Sequence, residues 1–136
     1  MTTKSSPKQY TRTLGRRKAA VATIKVYSGK DENTVNNVPV AKYFPLSSHK
    51  IEYDKPFLTT NTVGKYYYQA KILGGGTIGQ LESLALAIAR ALQKIDKSHT
   101  ASLRAAGLLT VDARVRQRRM VGAGGKSRRQ KQSPKR

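Results

Sequence analysis

The last 24 residues, Ala113 to Arg136, carry ten Lys or Arg and no Asp or Glu. A segment so charged, with so few large apolar side chains, cannot bury enough surface to offset its own ordering entropy. It is excluded from any hydrophobic core and is expected to order only against a dense negative charge. Nucleic-acid phosphate has that density. Fully extended, the segment reaches roughly 80 Å at most, far enough to touch something remote from the rest of the chain.

The other end has the same character. Met1 to Lys18 holds six basic residues and no acid, whereas Ala19 to Asp112 holds eleven basic residues and all seven acids, a net of +4 out of +20. The chain therefore reads as three parts: a basic N-terminal arm over residues 1–14, a globular domain over 15–112 and an extended basic tail over 113–136. The middle is long enough for a modest core. So large a charge excess makes the free chain repel itself until a polyanion screens it. No cysteine is present, which removes disulfides, Cys-ligated zinc and Cys nucleophiles and fits a reducing compartment. No apolar run reaches the roughly 18 residues a bilayer span needs. The tail lacks Trp or Phe on one face, so a membrane partner is not expected. The N-terminus has no apolar signal core. Its Lys, Arg, Ser and Thr are also compatible with an organelle transit segment, but the matching character of the other end favours an arm of the mature protein.

Between the arms the apolar pattern switches period. Ala20, Ala22, Ile24 and Val26 share one face of a strand over Ala19–Tyr27, with Thr23, Lys25 and Tyr27 on the other. A turn containing Gly29 leads to a short return strand at Thr34–Asn36, closing a hairpin, and Asn37 suits a positive φ at the next turn. Pro39, Pro45 and Pro56 break up the following stretch into short helices near Val40–Phe44 and Ser47–Tyr53. Val63–Leu73 is a second strand, with Tyr66, Tyr68, Ala70 and Ile72 on one face and Tyr67, Gln69 and Lys71 on the other. After Gly74-Gly75-Gly76, Thr77 opens a helix; Thr77 and Gln80 have capping-box spacing, and Ile78, Leu81, Ala85, Ile88, Leu92 and Ile95 form its stripe, with Ser83 off it. A short helix near Thr100–Ala106 ends at Gly107, backed by Leu108, and Leu109–Val111 is a last short strand or extended exit. Interleaved helices and amphipathic strands predict an α+β fold, one mixed sheet covered by helices on one face only.

Catalysis finds little support. His49 and His99 lie in polar surroundings and read as solvated surface residues. The nearest carboxylate pair, Glu52 and Asp54, is flanked by Lys50 and Lys55. No nucleophile–base arrangement, metal cluster or cofactor motif is present, so no enzyme, cofactor or small-molecule substrate is expected. The Gly74–Gly76 turn before a helix admits two readings. It is a tight strand-to-helix connection, or a place where backbone amides meet a polynucleotide phosphate at a helix N-terminus. The Lys-Ser/Thr of a Walker loop is missing. Arg16, Arg17 and Lys18 stand where a basic arm meets rigid structure and are candidate phosphate contacts. Among Tyr10, Tyr27 and Tyr66–Tyr68, Tyr67 is the candidate for facing nucleic acid. In the tail, Arg114, Arg116, Arg118 and Arg119 give a dense guanidinium cluster, which grips phosphate bidentately. Gly122, Gly124 and Gly125 interrupt any helix, and Lys126, Arg128, Arg129, Lys131, Lys135 and Arg136 finish the chain.

In order along the chain stand "GRRKAAVATIKVYSG", "VNN", "YF" at Tyr43-Phe44, "GGGTIGQ", "AIARAL", "LRAAGLLTVDARV" and a terminal Lys-Arg. This set resembles the bacterial-type family of ninth proteins of the small ribosomal subunit, over roughly Tyr10 to Arg136. The resemblance implies a two-layer α/β sandwich with a four-stranded mixed sheet, a left-handed βαβ crossover and a long extended C-terminal tail. It implies a structural protein in the head of the small subunit, in the cytoplasm or in an organellar ribosome. Its partners would be the 3′ major domain of the ribosomal RNA, neighbouring head proteins and P-site transfer RNA. Carried over by position, Lys135 and Arg136 would meet the transfer RNA. By their own chemistry Arg16, Arg17, Lys18, Gly74–Gly76, Arg114, Arg116, Arg118, Arg119, Lys126, Arg128 and Arg129 are the candidates to meet ribosomal RNA. The chain departs from the family's usual ending: Gln132-Ser133-Pro134 precedes the final pair, and the aromatic common there is missing. Two other readings stand beside this one: a nucleic-acid-binding regulator acting off the ribosome, and a nucleotide-using enzyme built on the glycine turn.

Overall fold

In the computed structural model, which describes residues 8–122, the two alternating segments are strands with the faces their patterns assign. The elements in order are β1 (Thr11–Arg17), β2 (Ala20–Ser28), β3 (Thr34–Val35), β4 (Val38–Pro39), α1 (Val40–Tyr43), α2 (Ser47–Thr60), β5 (Tyr66–Leu73), α3 (Thr77–Ile95), a 3-10 turn (Lys97–His99) and α4 (Thr100–Ala105). One mixed sheet runs in the order β1-β2-β5-β3-β4. It has five strands where four were expected. Ala22, Ile24 and Val26 of β2 join Tyr68, Ala70 and Ile72 of β5 in a single core with α2, α3 and α4, so the helices back one face.

Neither β4 nor β1 is among the strands expected, and the first four residues of β1 fall in the expected arm. β1 pairs antiparallel with β2 along its whole length, from Thr11 opposite Val26 to Arg17 opposite Ala20. Its core-side residues are small or polar, which hides it from a hydrophobicity pattern. They suffice because α3 comes very close: a Cβ on Gly15 would stand 2.1 Å from the Ser83 carbonyl oxygen. Thr13 Oγ1 donates to the Ala87 carbonyl at 2.8 Å, and Arg90 Nη1 donates to the Leu14 carbonyl at 2.8 Å. Ser83 is accordingly buried, whereas Ile78, expected in the stripe, is exposed.

The expected return hairpin forms differently. Both edges of β2 are taken, by β1 and β5. β3 instead lies parallel to β5, with Val35 opposite Ala70, and turns forward into β4. The turn is Asn36-Asn37, both at positive φ (50° and 65°). Two asparagine side chains extend the short ladder: the Tyr68 amide donates to Asn33 Oδ1 at 3.0 Å, and the Ile72 amide donates to Asn36 Oδ1 at 2.9 Å. The return from β4 to β5 crosses over through α1 and α2.

Three further expectations need correction. α2 continues through Pro56 to Thr60, because the proline ring is buried along with Tyr53 and Phe57 on the core side. Thr77 is not a cap: Gly76 is the N-cap and no side chain caps it. Gln80 instead donates to the Gly74 carbonyl at 3.0 Å and accepts from the Tyr43 hydroxyl at 2.8 Å, tying the glycine turn to α1. His49 is not solvated; it is buried edge-on to Phe44, centroids 5.9 Å apart. Of the two readings of Leu109–Val111, a last strand or an exit from the fold, no strand forms. Gly107 does end α4 at φ 73°, with the Leu108 amide bonded back to the Leu103 carbonyl at 3.0 Å.

Candidate nucleic-acid interface

Three segments distant in sequence meet at one end of the molecule. The first is the β1–β2 turn, Lys18-Ala19, whose Lys18 sits at φ 52°. The second is the glycine turn packed against it. Gly74 and Gly75 have φ of 74° and 67°, and a Cβ on Gly74 would lie 2.6 Å from the Ala19 carbonyl oxygen, one on Gly75 2.8 Å from the Ala20 Cβ. The tight-turn reading therefore accounts for these two glycines. It does not account for Gly76, which has a negative φ and open space where a Cβ would stand. Gly76 is the N-cap of α3, and no side chain caps the amides of the first helical turn there.

The third segment is the root of the tail. Arg16, Lys18, Asp112 and Val115 line one small cleft there. Arg16 and Lys18 are exposed. Arg17 is not: its guanidinium lies inward, bonded through Nε to Glu82 at 2.5 Å and through Nη1 to the Arg114 carbonyl at 2.9 Å, with Asp112 Oδ1 at 3.5 Å. Arg17 thus fastens the tail's root to α3. Arg114 closes the same knot. Its Nε and Nη2 reach the Asp112 carboxylate at 2.9 and 2.7 Å, and its amide donates to Oδ1 at 3.1 Å. These bonds, with Arg17 adding a smaller effect, hold the Asp112 carboxyl well below the usual carboxylate range. Arg114 still exposes 85% of its side chain. Arg116, Arg118 and Arg119 are also exposed. Lys126, Arg128, Arg129, Lys135 and Arg136 lie outside the described residues.

The sheet segregates charge. No strand contains an acid. Glu82 and Asp112 sit on the helix side, where they share a cleft with Glu52, Lys55 and Arg17. The face away from the helices carries Arg12, Arg16, Lys25 and Lys71, a set that strand register assembles and sequence order scatters. Tyr67 lies on that face, yet it is only 5% exposed, because its ring stacks on Tyr27 at 5.1 Å. Tyr10, tilted on Tyr27 at 5.7 Å, is the exposed member of the group. The signal that could have found it is its place two residues before Arg12, in phase with the open face once β1 is recognised as a strand.

Among the described residues no group of His, Asp or Glu is placed to hold a metal ion, and no helix is long and apolar enough to cross a membrane.

Comparison with known sequences is specific. The family described as ribosomal protein S9/S16 matches residues 15–136. The chain is 40% identical over 125 residues to the small ribosomal subunit protein uS9 of Methylacidiphilum infernorum (isolate V4), covering 92% of this chain and 90% of that one. It is 44% identical over 110 residues to the small ribosomal subunit protein uS9 of Leifsonia xyli subsp. xyli (strain CTCB07), covering 80% of this chain and 66% of that one.

Proposed function

The chain belongs to the ribosomal protein S9/S16 family, and from that premise we propose that it is a non-enzymatic constituent of the small ribosomal subunit, bound to the subunit's RNA. The observation that carries this reading is a match running through the acid-free tail to residue 136, so the tail belongs to the family's pattern. The finer reading follows from the chemistry. The domain docks in the subunit head on the 3′ major domain of the RNA through Arg16, Lys18 and the uncapped amides after Gly76, among the neighbouring head proteins. Arg17 contributes by holding the tail's root. Arg114, Arg116, Arg118, Arg119, Lys126, Arg128 and Arg129 neutralise phosphates along the tail's course, and Lys135 and Arg136 stabilise P-site transfer RNA. The compartment is the cytoplasm.

Two measurements test it. If about eight phosphates are neutralised, affinity for small-subunit ribosomal RNA falls with a log–log salt slope on the order of −6 to −7. Removing residues 126–136 is expected to leave sedimentation with small subunits intact while P-site transfer RNA affinity drops. A full-length chain that does not sediment with small subunits rejects the ribosomal reading. A truncated chain that cannot enter them rejects this division of labour.

A further inference from the structure

The uncovered sheet face shares only Arg16 with the site above, and its makeup is unusual. Arg12 stands directly opposite Lys25 across the β1–β2 ladder, and Lys71 lies one row further along on β5. Like charges directly opposed in a sheet are destabilising, and no strand residue supplies an acid to relieve them. At one end of this cationic field stands an aromatic column. Tyr67 and Tyr27 are stacked with planes 14° apart, and Tyr10 leans on Tyr27 with half its surface exposed. The column is held from both sides: Lys8 Nζ donates to the Tyr67 hydroxyl at 3.2 Å, and Lys25 Nζ lies 5.0 Å from the Tyr10 ring centre. A trough of about 570 Å³ runs along the face, lined by Tyr10, Arg12, Lys25, Lys71 and Leu73.

We propose that this face is a second RNA-docking surface, which takes an unpaired strand with one base on Tyr10 and the flanking phosphates on Arg12, Lys25 and Lys71. The proposal rests on the reading of the chain as an RNA-bound ribosomal protein and adds where, and in which form, further RNA is held. An unpaired strand fits because a duplex keeps its bases stacked away from an aromatic platform, whereas a splayed base lies flat on one. Exposed Leu14, between Arg12 and Arg16 on β1, and exposed Leu73, beyond Lys71 at the end of β5, suit base and ribose faces rather than a run of carboxylates. Lys25 steadies the ring in the free protein and lies where its ammonium can pass to a phosphate once a base covers the ring.

The test uses the full-length chain with full-length small-subunit ribosomal RNA. Tyr10→Phe should bind as the parent does, and Tyr10→Leu should bind roughly five- to a hundredfold more weakly. The double variant Arg12→Gln/Lys71→Gln should weaken binding and make the log–log salt slope shallower by about 1.5. The same double variant should melt no lower than the parent in low salt, since it removes an opposed cation, and this opposition of binding and stability is what a merely structural role would not give. Ultraviolet irradiation of assembled subunits should crosslink Tyr10 to RNA. The proposal is overturned if both variants bind with the parent's affinity and salt slope, or if the Tyr10 crosslink leads to a neighbouring protein. A parent chain that does not bind the RNA at all refutes the ribosomal reading instead.

Discussion

Single residues at the glycine turn separate structural from binding roles. Gly74 and Gly75 need positive φ and lack room for a Cβ; Gly76 needs neither. Gly76→Ala should therefore leave stability within about 1 kcal/mol of the parent, yet weaken RNA binding if phosphate approaches the start of α3. A melting curve paired with an RNA titration decides it; equal binding would leave this turn a connection and nothing more. Gly15 is the opposite case. Alanine there meets the Ser83 carbonyl oxygen, so β1 must leave α3, at a cost of about 1–3 kcal/mol and a melting temperature lower by on the order of 10 °C. Tyr68 gives a pH test. Its hydroxyl is buried, which pushes its ionisation far above the ordinary value of 10.0. An unfolded chain ionises at the ordinary value, so this contribution is complete below about pH 10 and declines as pH rises beyond it. Tyr68→Phe should lose stability more slowly than the parent from pH 10 upward in parallel melts, and identical slopes would contradict the assignment.

At the scale of elements, the knot of Arg17, Glu82, Asp112 and Arg114 explains why a chain that has left its last helix stays against the domain for several more residues. Arg17 is shielded but Glu82 and Arg114 reach solvent, so the pairs are screened and add little to global stability. Arg17→Gln should accordingly leave the melting temperature nearly unchanged while amide hydrogen exchange over residues 110–116 rises severalfold; unchanged exchange would mean the pairs restrain nothing. The carboxyl of Asp112 is held below its ordinary 3.8, so the restraint is complete above that pH and is lost only as pH falls well beneath it, sooner in high salt. This knot was half legible. Arg17 and the Asp112-x-Arg114 block both stood out in the sequence, but nothing in their spacing of 95 residues pairs them. The strands divide the same way. β2 and β5 were legible because Ala20–Val26 and Tyr66–Ile72 alternate against an apolar core. β1 was not, because its inward residues, half-buried Thr13 and buried Gly15, are covered by proximity to a helix backbone rather than by apolarity. The full length of α2 is not legible, because Pro56 normally stops a helix, whereas here its ring is core.

For the molecule as a whole, composition alone marks Ala113–Arg136 as a basic, acid-free run, which needs no fold to be recognised. The second cationic surface required the fold, because Arg12, Lys25 and Lys71 come from three strands and belong together only in register. Both features make the free protein a strained object, with a charge of +20 on 136 residues. Deleting residues 126–136 removes Lys126, Arg128, Arg129, Lys131, Lys135 and Arg136, and 20 − 6 leaves +14. If self-repulsion limits stability, the truncated chain should melt higher than the parent in low salt, and the two should converge as ionic strength rises past the point where the Debye length falls below about 10 Å. Added inorganic polyphosphate should raise the parent's melting temperature more than the truncated chain's, because the parent has more cations to neutralise and a ligand that prefers the native chain stabilises it by mass action. A parent that already melts as high as its truncated form in low salt would show that the tail's charge lies too far from the domain to be felt. The cationic strain would then belong to the sheet face alone, and Arg12→Gln/Lys71→Gln would be the variant that relieves it.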